Sequence, residues 1–208
     1  MSAPHPGPRV TRRRAETRAR LLLAALDVFV DRGVGATSVE QVCEAAGYTR
    51  GAFYSNFSSL DELLLTLYEQ RSAAVLAALE EALARLTGPA AVGTLTDVVD
   101  DLLTAHLADR RWLVMQTEIA LHALRTPAAA GEVAARRARL RERVGALIAQ
   151  AAQRAGRRLT TSPDELASAA LALVEGARLQ AWLEPGDGPV RTDRLLLTAL
   201  LEQYTVSA

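Results

Sequence analysis

Leu22, Ala25, Leu26 and Phe29 recur at the three- and four-residue spacing that lines one face of an α-helix. They predict a helix over residues 11–32, ended by Gly33 and Gly35. Val39, Val42, Cys43 and Ala46 repeat the pattern in a short second helix. Two capping boxes compete for its start, Thr37 with Glu40 and Ser38 with Gln41, since each can satisfy the orphan backbone N–H groups of a first turn. Gly47 closes it, most simply in the left-handed conformation. Thr49 caps a third helix of barely two turns, and Ser58 or Ser59 caps a long fourth that runs to about Leu86, with Asp61 and Glu62 where the helix dipole favours acids.

Beyond the break at "TGPAAVG", further helices are expected near 94–108, 110–125, 128–155, 163–183 and 190–206. Ser162 as cap, Pro163 at the first helical position and Glu165 completing the box mark the clearest start among them. No strand-like alternation of useful length is visible. The pattern predicts an all-α chain of about nine helices. A Pro-rich, disordered arm is expected over 1–10, a first domain over 11–60, and a second helical domain over 61–208.

Composition agrees with helix, since Ala and Leu dominate and only nine of 208 residues are Phe, Tyr or Trp. Net charge is zero but unevenly placed: residues 1–60 hold eight Arg against five acids, and the rest sixteen against nineteen. Arg12, Arg13 and Arg14 belong to the densest basic run, which points to a local anionic partner such as nucleic acid or else to a solvated tail. A single cysteine, Cys43, excludes an internal disulfide and fits a reducing cytosol, so a cytoplasmic location is expected. Nothing beside Cys43 in sequence stabilises a thiolate, which favours a small buried side chain over a redox sensor. Asp27 and Asp31 cut short the apolar run that follows the arginines, so neither a signal peptide nor a membrane span is expected.

Four of the nine aromatics fall between Tyr48 and Phe57, in "AAGYTRGAFYSNF". Phe53 and Phe57 are four apart and share a face, with Tyr48 nearby; these are core. Arg50, Gly51, Tyr54 and Ser55 point elsewhere. A short helix with core on one side and Arg, Tyr, Ser and Asn on the other suits the DNA major groove, with the preceding helix across the backbone and a glycine turn between them. Gly51 and Ala52 let the backbone lie close to DNA.

From Thr17 to Leu64 the chain resembles the DNA-binding domain of the TetR/AcrR family of bacterial transcriptional regulators. The resemblance rests on Thr17-Arg18, Ala24-Ala25, Phe29, Gly33, Thr37, Ala46-Gly47, Gly51, Tyr54, Phe57 and Leu63. It implies a three-helix helix-turn-helix domain joined to a C-terminal helical domain that dimerises and often binds a small effector. It further implies that Thr37 or Ser38, Tyr54 and Asn56 contact phosphates while Arg50, Gly51 and Ala52 face bases. Asn56 stands where the family usually has His, and Leu60 where it usually has a phosphate-binding Lys. The missing contact is one that the arm arginines can replace along the backbone or in the minor groove.

In the second domain "RWLVMQTEIALHAL" is apolar nearly all round yet carries Gln116, Glu118 and His122. Buried polar groups need partners. They form either a satisfied structural network or, with Trp112, Met115, Ile119, Arg178 and Trp182, the lining of a small-molecule cavity. Ala169, Ala170, Leu173, Val174 and Ala177 make an apolar stripe on one late helix, and Leu196, Ala199, Leu200 and Gln203 on another; these predict a homodimer interface. No nucleophile elbow, phosphate loop or metal-ligand cluster is present in the sequence, so neither catalysis nor a cofactor is expected. The reading is a DNA-binding homodimer, most simply a repressor released from a palindromic operator by a small, largely apolar ligand. The alternatives are an architectural DNA-binding dimer without an effector, or a helical enzyme carrying a vestigial helix-turn-helix.

Overall fold

The computed structural model describes residues 8–85, 109–183 and 190–208. These residues form eight α-helices: α1 (Pro8–Arg32), α2 (Val39–Ala46), α3 (Arg50–Tyr54), α4 (Leu60–Arg85), α5 (Arg110–Arg125), α6 (Pro127–Arg154), α7 (Pro163–Leu183) and α8 (Val190–Gln203). A single 3-10 turn, Val34–Ala36, follows α1. The helix expected near 94–108 lies outside the described residues. No helix among them is long and apolar enough to cross a membrane.

Two features depart from the sequence reading. The first helix starts at Pro8, inside the stretch read as an arm, because proline is well tolerated in a first turn whose N–H groups have no partner. The chain also forms a small antiparallel sheet, β1 (Arg157–Leu159) with β2 (Thr205–Ser207), pairing Arg158 with Val206. Thr205 is buried there and accepts two bonds from Arg157, from Nε to its hydroxyl at 2.7 Å and from Nη2 to its carbonyl at 2.8 Å.

The described residues divide into two compact units. The first comprises those up to Gln70 together with Val114–Val133. The second comprises those from Arg71 through Leu113 together with Ala134–Ala208.

The first unit is built around Phe29 of α1, Val42 and Cys43 of α2, Phe53 of α3, Phe57, and Leu63 and Leu64 of α4, all buried. Each Phe contributes on the order of 2–3 kcal/mol by leaving water. The Ser38 box is the one used at α2: the Ser38 hydroxyl accepts from Gln41 N–H at 3.3 Å, and the Gln41 side chain accepts from Ser38 N–H at 2.8 Å. Thr37 instead donates its hydroxyl to the Gly33 carbonyl at 2.8 Å. Gly47 ends α2 at φ 70°, a conformation that side chains other than glycine resist.

In the second unit α6 is tied to α7 by Arg137–Glu175 at 2.9 Å and Arg141–Asp164 at 2.7 Å. The helices approach closely at Gly145, where an added Cβ would lie 2.7 Å from the Pro163 carbonyl oxygen. The Ser162–Glu165 box opens α7 as expected, with Glu165 N–H donating to the Ser162 hydroxyl at 3.2 Å. Leu197 of α8 packs on Ala170, Leu173 and Val174 of α7, with Leu200 beside it.

Candidate nucleic-acid interface

Helix α3 owes its placement to its ends and its core. Thr49 caps it, its hydroxyl accepting from Ala52 N–H at 3.2 Å. Phe53 and Phe57 sink into the first unit, their rings 5.9 Å apart, and this turns the opposite face outward. That face carries Arg50, Gly51, Tyr54 and Ser55, all exposed, with Thr49 exposed at its start and Ala52 half-buried. Thr37 and Ser38 lie half-buried at the start of α2.

Two arginines of α1 hold the far end of α3. Arg14 Nη2 donates to the Ser55 carbonyl at 2.9 Å and Arg18 Nη1 to the Asn56 carbonyl at 2.8 Å. Arg18 also stacks 4.2 Å over the Phe57 ring and donates to the Thr66 hydroxyl at 3.3 Å. Cations suit the carbonyl end of a helix. The sequence reading kept Arg18 only as part of a motif and missed this bracing. Its sole signal there was the pair Thr17-Arg18. Arg14, read as a DNA contact, has a partner within the unit, and Arg12 pairs with Glu16 at 3.3 Å on the surface. Arg13 is exposed on the same helix.

Asn56 requires a correction. Its side chain is buried, and Nδ2 donates to the Ala52 carbonyl at 2.8 Å and to the Ser55 hydroxyl at 3.2 Å. Both amide hydrogens are therefore spent inside the protein, and no donor remains for a phosphate. Asn56 shapes the end of α3 and does not stand on its outer face.

Gly51 is informative for the opposite reason. An added Cβ there would meet only the Thr49 hydroxyl oxygen, at 3.7 Å, so the fold itself does not demand glycine. A bare backbone on an exposed helix face suits close approach by an external surface.

Arg50 is held on this face by Glu40 of α2, Nη1 to Oε1 at 2.7 Å, and lies 5.9 Å from the Tyr54 ring centroid. The Tyr54 hydroxyl bond, and then the Glu40 charge, raise the Arg50 pKa further, so the guanidinium stays charged. Glu40 is lowered by its own backbone N–H first, and also by Arg50 and Ser38.

The residues read as a ligand site are divided between the two units. Met115, Gln116, Glu118, Ile119 and His122 belong to the first unit, and Trp112, Arg178 and Trp182 to the second. Glu118 accepts from Val34 N–H at 2.9 Å, and His122 Nε2 lies 3.0 Å from Asp61 Oδ1. Those two polar ends are thus satisfied within the unit that carries α3, as the structural-network alternative expects. The reason is helical spacing: Glu118 and His122 are one turn apart and share a face. Met115 and Ile119 are buried, Gln116 half-buried. Trp112 is buried under Arg71, and Trp182 is about half exposed with Arg110 6.0 Å from its ring centroid. Arg178 is buried. No group of three or more His, Cys, Asp or Glu among the described residues could hold a metal ion.

Of the residues read as a dimer interface, Ala170, Leu173, Val174 and Leu200 serve the packing of α7 on α8 around Leu197. Ala177 is buried. Ala169, Leu196, Ala199 and Gln203 are exposed, as are Leu179, Leu183 and Leu195, which the stripe reading did not name.

Comparison with known proteins places this geometry. Residues 21–67 match the family model of bacterial regulatory proteins of the tetR family, and residues 91–206 match that of the C-terminal part of BetI-type transcriptional repressors. The HTH-type transcriptional activator FasR of Mycolicibacterium smegmatis is 35% identical over 74 residues, which span 36% of this chain and 34% of that protein. The match therefore covers only about a third of FasR's length. A TetR-family regulator from Mesorhizobium loti superimposes with TM-score 0.74 at 19% identity, over 93% of this chain and 99% of that one. SmeT in complex with triclosan does so with TM-score 0.68 at 25% identity, over 92% of each chain. These matches point to a regulator of transcription and not to an enzyme. The chain belongs to the tetR family of bacterial transcriptional regulators, with a helix-turn-helix that binds DNA.

Proposed function

We propose that this regulator is a homodimeric repressor that leaves a palindromic operator when a small, largely apolar ligand binds its C-terminal part. Residues 11–60 act as the DNA-binding domain and 61–208 as the effector-binding and dimerisation domain. The observation that carries the reading is the outer face of α3, where charged Arg50 and exposed Tyr54 flank a glycine that the fold does not require. Arg50 reads a guanine, while Tyr54, Thr37 or Ser38 meet phosphates.

Dimerisation is supported by Leu179, Leu183, Leu195 and Leu196, large apolar side chains exposed on α7 and α8. A twofold dimer presents two copies of α3 about one turn of DNA apart, or a multiple. Repression is favoured by the match to BetI-type repressors over the activator name of FasR. A small effector is supported by the triclosan complex of SmeT. Trp112, Arg178 and Trp182, all in the second unit, are the candidates to meet it. Helix α5 contributes residues to both units, and its Glu118 and His122 bond groups in the first. A ligand that shifts α5 would thereby disturb α3, provided it prefers one conformation over the other.

The test is sedimentation of the protein alone, with an operator fragment selected from random DNA, and with operator plus compounds found by thermal shift. Dimers that bind the fragment and release it on adding a compound support the proposal. A monomer at micromolar concentration, or stabilising compounds that leave operator binding unchanged, would overturn it.

A further inference from the structure

We propose that Glu40 is a specificity-determining residue, which sets how Arg50 is presented to one base pair in each half-site. The inference rests on the reading of Arg50 as a base contact and adds to it a partner from the neighbouring helix.

Glu40 stands on α2 and Arg50 opens α3, so the 2.7 Å pair spans the two helices of the helix-turn-helix. Both side chains are more than half exposed, at 56% and 61%. An exposed pair of this kind adds little to stability, so its consequence lies at the surface it occupies. Two effects follow from its chemistry.

The first is orientation. A free arginine side chain on an exposed helix samples many rotamers and serves phosphate and base alike. Glu40 Oε1 takes Nη1, and the Tyr54 ring flanks the guanidinium at 5.9 Å. Of the five N–H donors of the guanidinium, this carboxylate oxygen engages one. The Tyr54 hydroxyl takes another, and the donors left over serve the paired acceptors of a guanine, O6 and N7. The side chain is thus narrowed in advance to a few directions, which favours one bidentate geometry.

The second effect is charge. The Glu40–Arg50 pair is neutral as a unit, so it gains little from phosphates, whose attraction is the same at every sequence. A cation neutralised this way contributes to discrimination more than to general affinity. Glu40 therefore weakens binding to any DNA while sharpening binding to the right one.

Wild type, Glu40→Gln, Arg50→Ala and the double variant are each tested by selection from a randomised double-stranded DNA library. Fluorescence anisotropy then follows on single base-pair changes of the selected site. Arg50→Ala is expected to relax preference at one base pair per half-site by roughly five- to a hundredfold. Glu40→Gln should relax the same base pair by about threefold or more. It should also raise affinity for scrambled DNA and steepen the salt dependence of log K by about 0.9. In the double variant the preference should match that of Arg50→Ala alone. Glu40→Gln that strengthens all sequences equally and keeps the wild-type preference would overturn the role of Glu40 while leaving Arg50 as reader. If Arg50→Ala relaxes no base pair, the base contact itself fails, and with it the inference. Thermal melting of Glu40→Gln at the wild-type midpoint excludes unfolding as the cause.

Discussion

The Glu118 carboxylate accepts a hydrogen bond from the backbone N–H of Val34 at 2.9 Å, across 84 residues of sequence. Val34 is buried and follows Gly33, whose φ of 82° disfavours any side chain and whose added Cβ would lie 3.0 Å from the same carboxylate oxygen. The contact thus joins α5 to the turn between α1 and α2. Replacing Glu118 by Leu leaves a buried N–H without its acceptor, at a cost of about 1–3 kcal/mol. Urea unfolding should show that loss. An unchanged midpoint would mean that Glu118 does not hold this turn.

Gly51 and Gly145 should respond oppositely to the same substitution. Gly51→Ala meets only an ordinary contact, 3.7 Å from the Thr49 hydroxyl oxygen, and gains helix propensity, so it should stabilise the protein by roughly 0.5–1 kcal/mol. It should nonetheless weaken operator binding by crowding the interface. Gly145→Ala drives a methyl into the Pro163 carbonyl and should destabilise by about 1–3 kcal/mol. Melting temperatures and operator titrations of both variants check this, and a Gly51→Ala variant with full operator affinity would speak against close approach at α3.

Much of the first unit is legible in the sequence alone. Phe53 and Phe57 are four apart, Ser38 and Gln41 three apart, and Gly47 sits at a helix end; each signal is local, and each element forms locally. Part of what the sequence left open traces to distance. Periodicity marked Glu118 and His122 as polar groups on a buried helix, but their partners Val34 and Asp61 lie 84 and 61 residues away, where spacing carries no information. Asn56 looked like an outward donor because its bond back to the Ala52 carbonyl is a competing use of the amide that residue type alone does not reveal. The β1–β2 pair escaped notice because three-residue strands are too short to display alternation. The apolar stripes on the last helices were read correctly as apolar, yet helical spacing could not separate the α7–α8 contact around Leu197 from a face left exposed.

The basic run of α1 should add affinity without choosing sequence. Arg12, Arg13 and Arg14 are exposed, although Arg12 pairs with Glu16 and Arg14 bonds the Ser55 carbonyl. Replacing all three by Gln should flatten the salt dependence of log K by about 2–3 if each meets a phosphate. Relative affinities among operator variants should stay as they were. An unaltered slope would assign these arginines to the protein alone, with Arg14 serving only to brace α3.

The central claim is that the outer face of α3 reads DNA through Arg50. Its most direct measurement is the affinity of wild type and Arg50→Ala for a selected operator and for scrambled DNA of equal length, at one fixed salt concentration. Wild type should prefer the operator, and Arg50→Ala should lose about 1–3 kcal/mol on the operator and far less on scrambled DNA. Equal losses on both DNAs, or none on either, would contradict the claim.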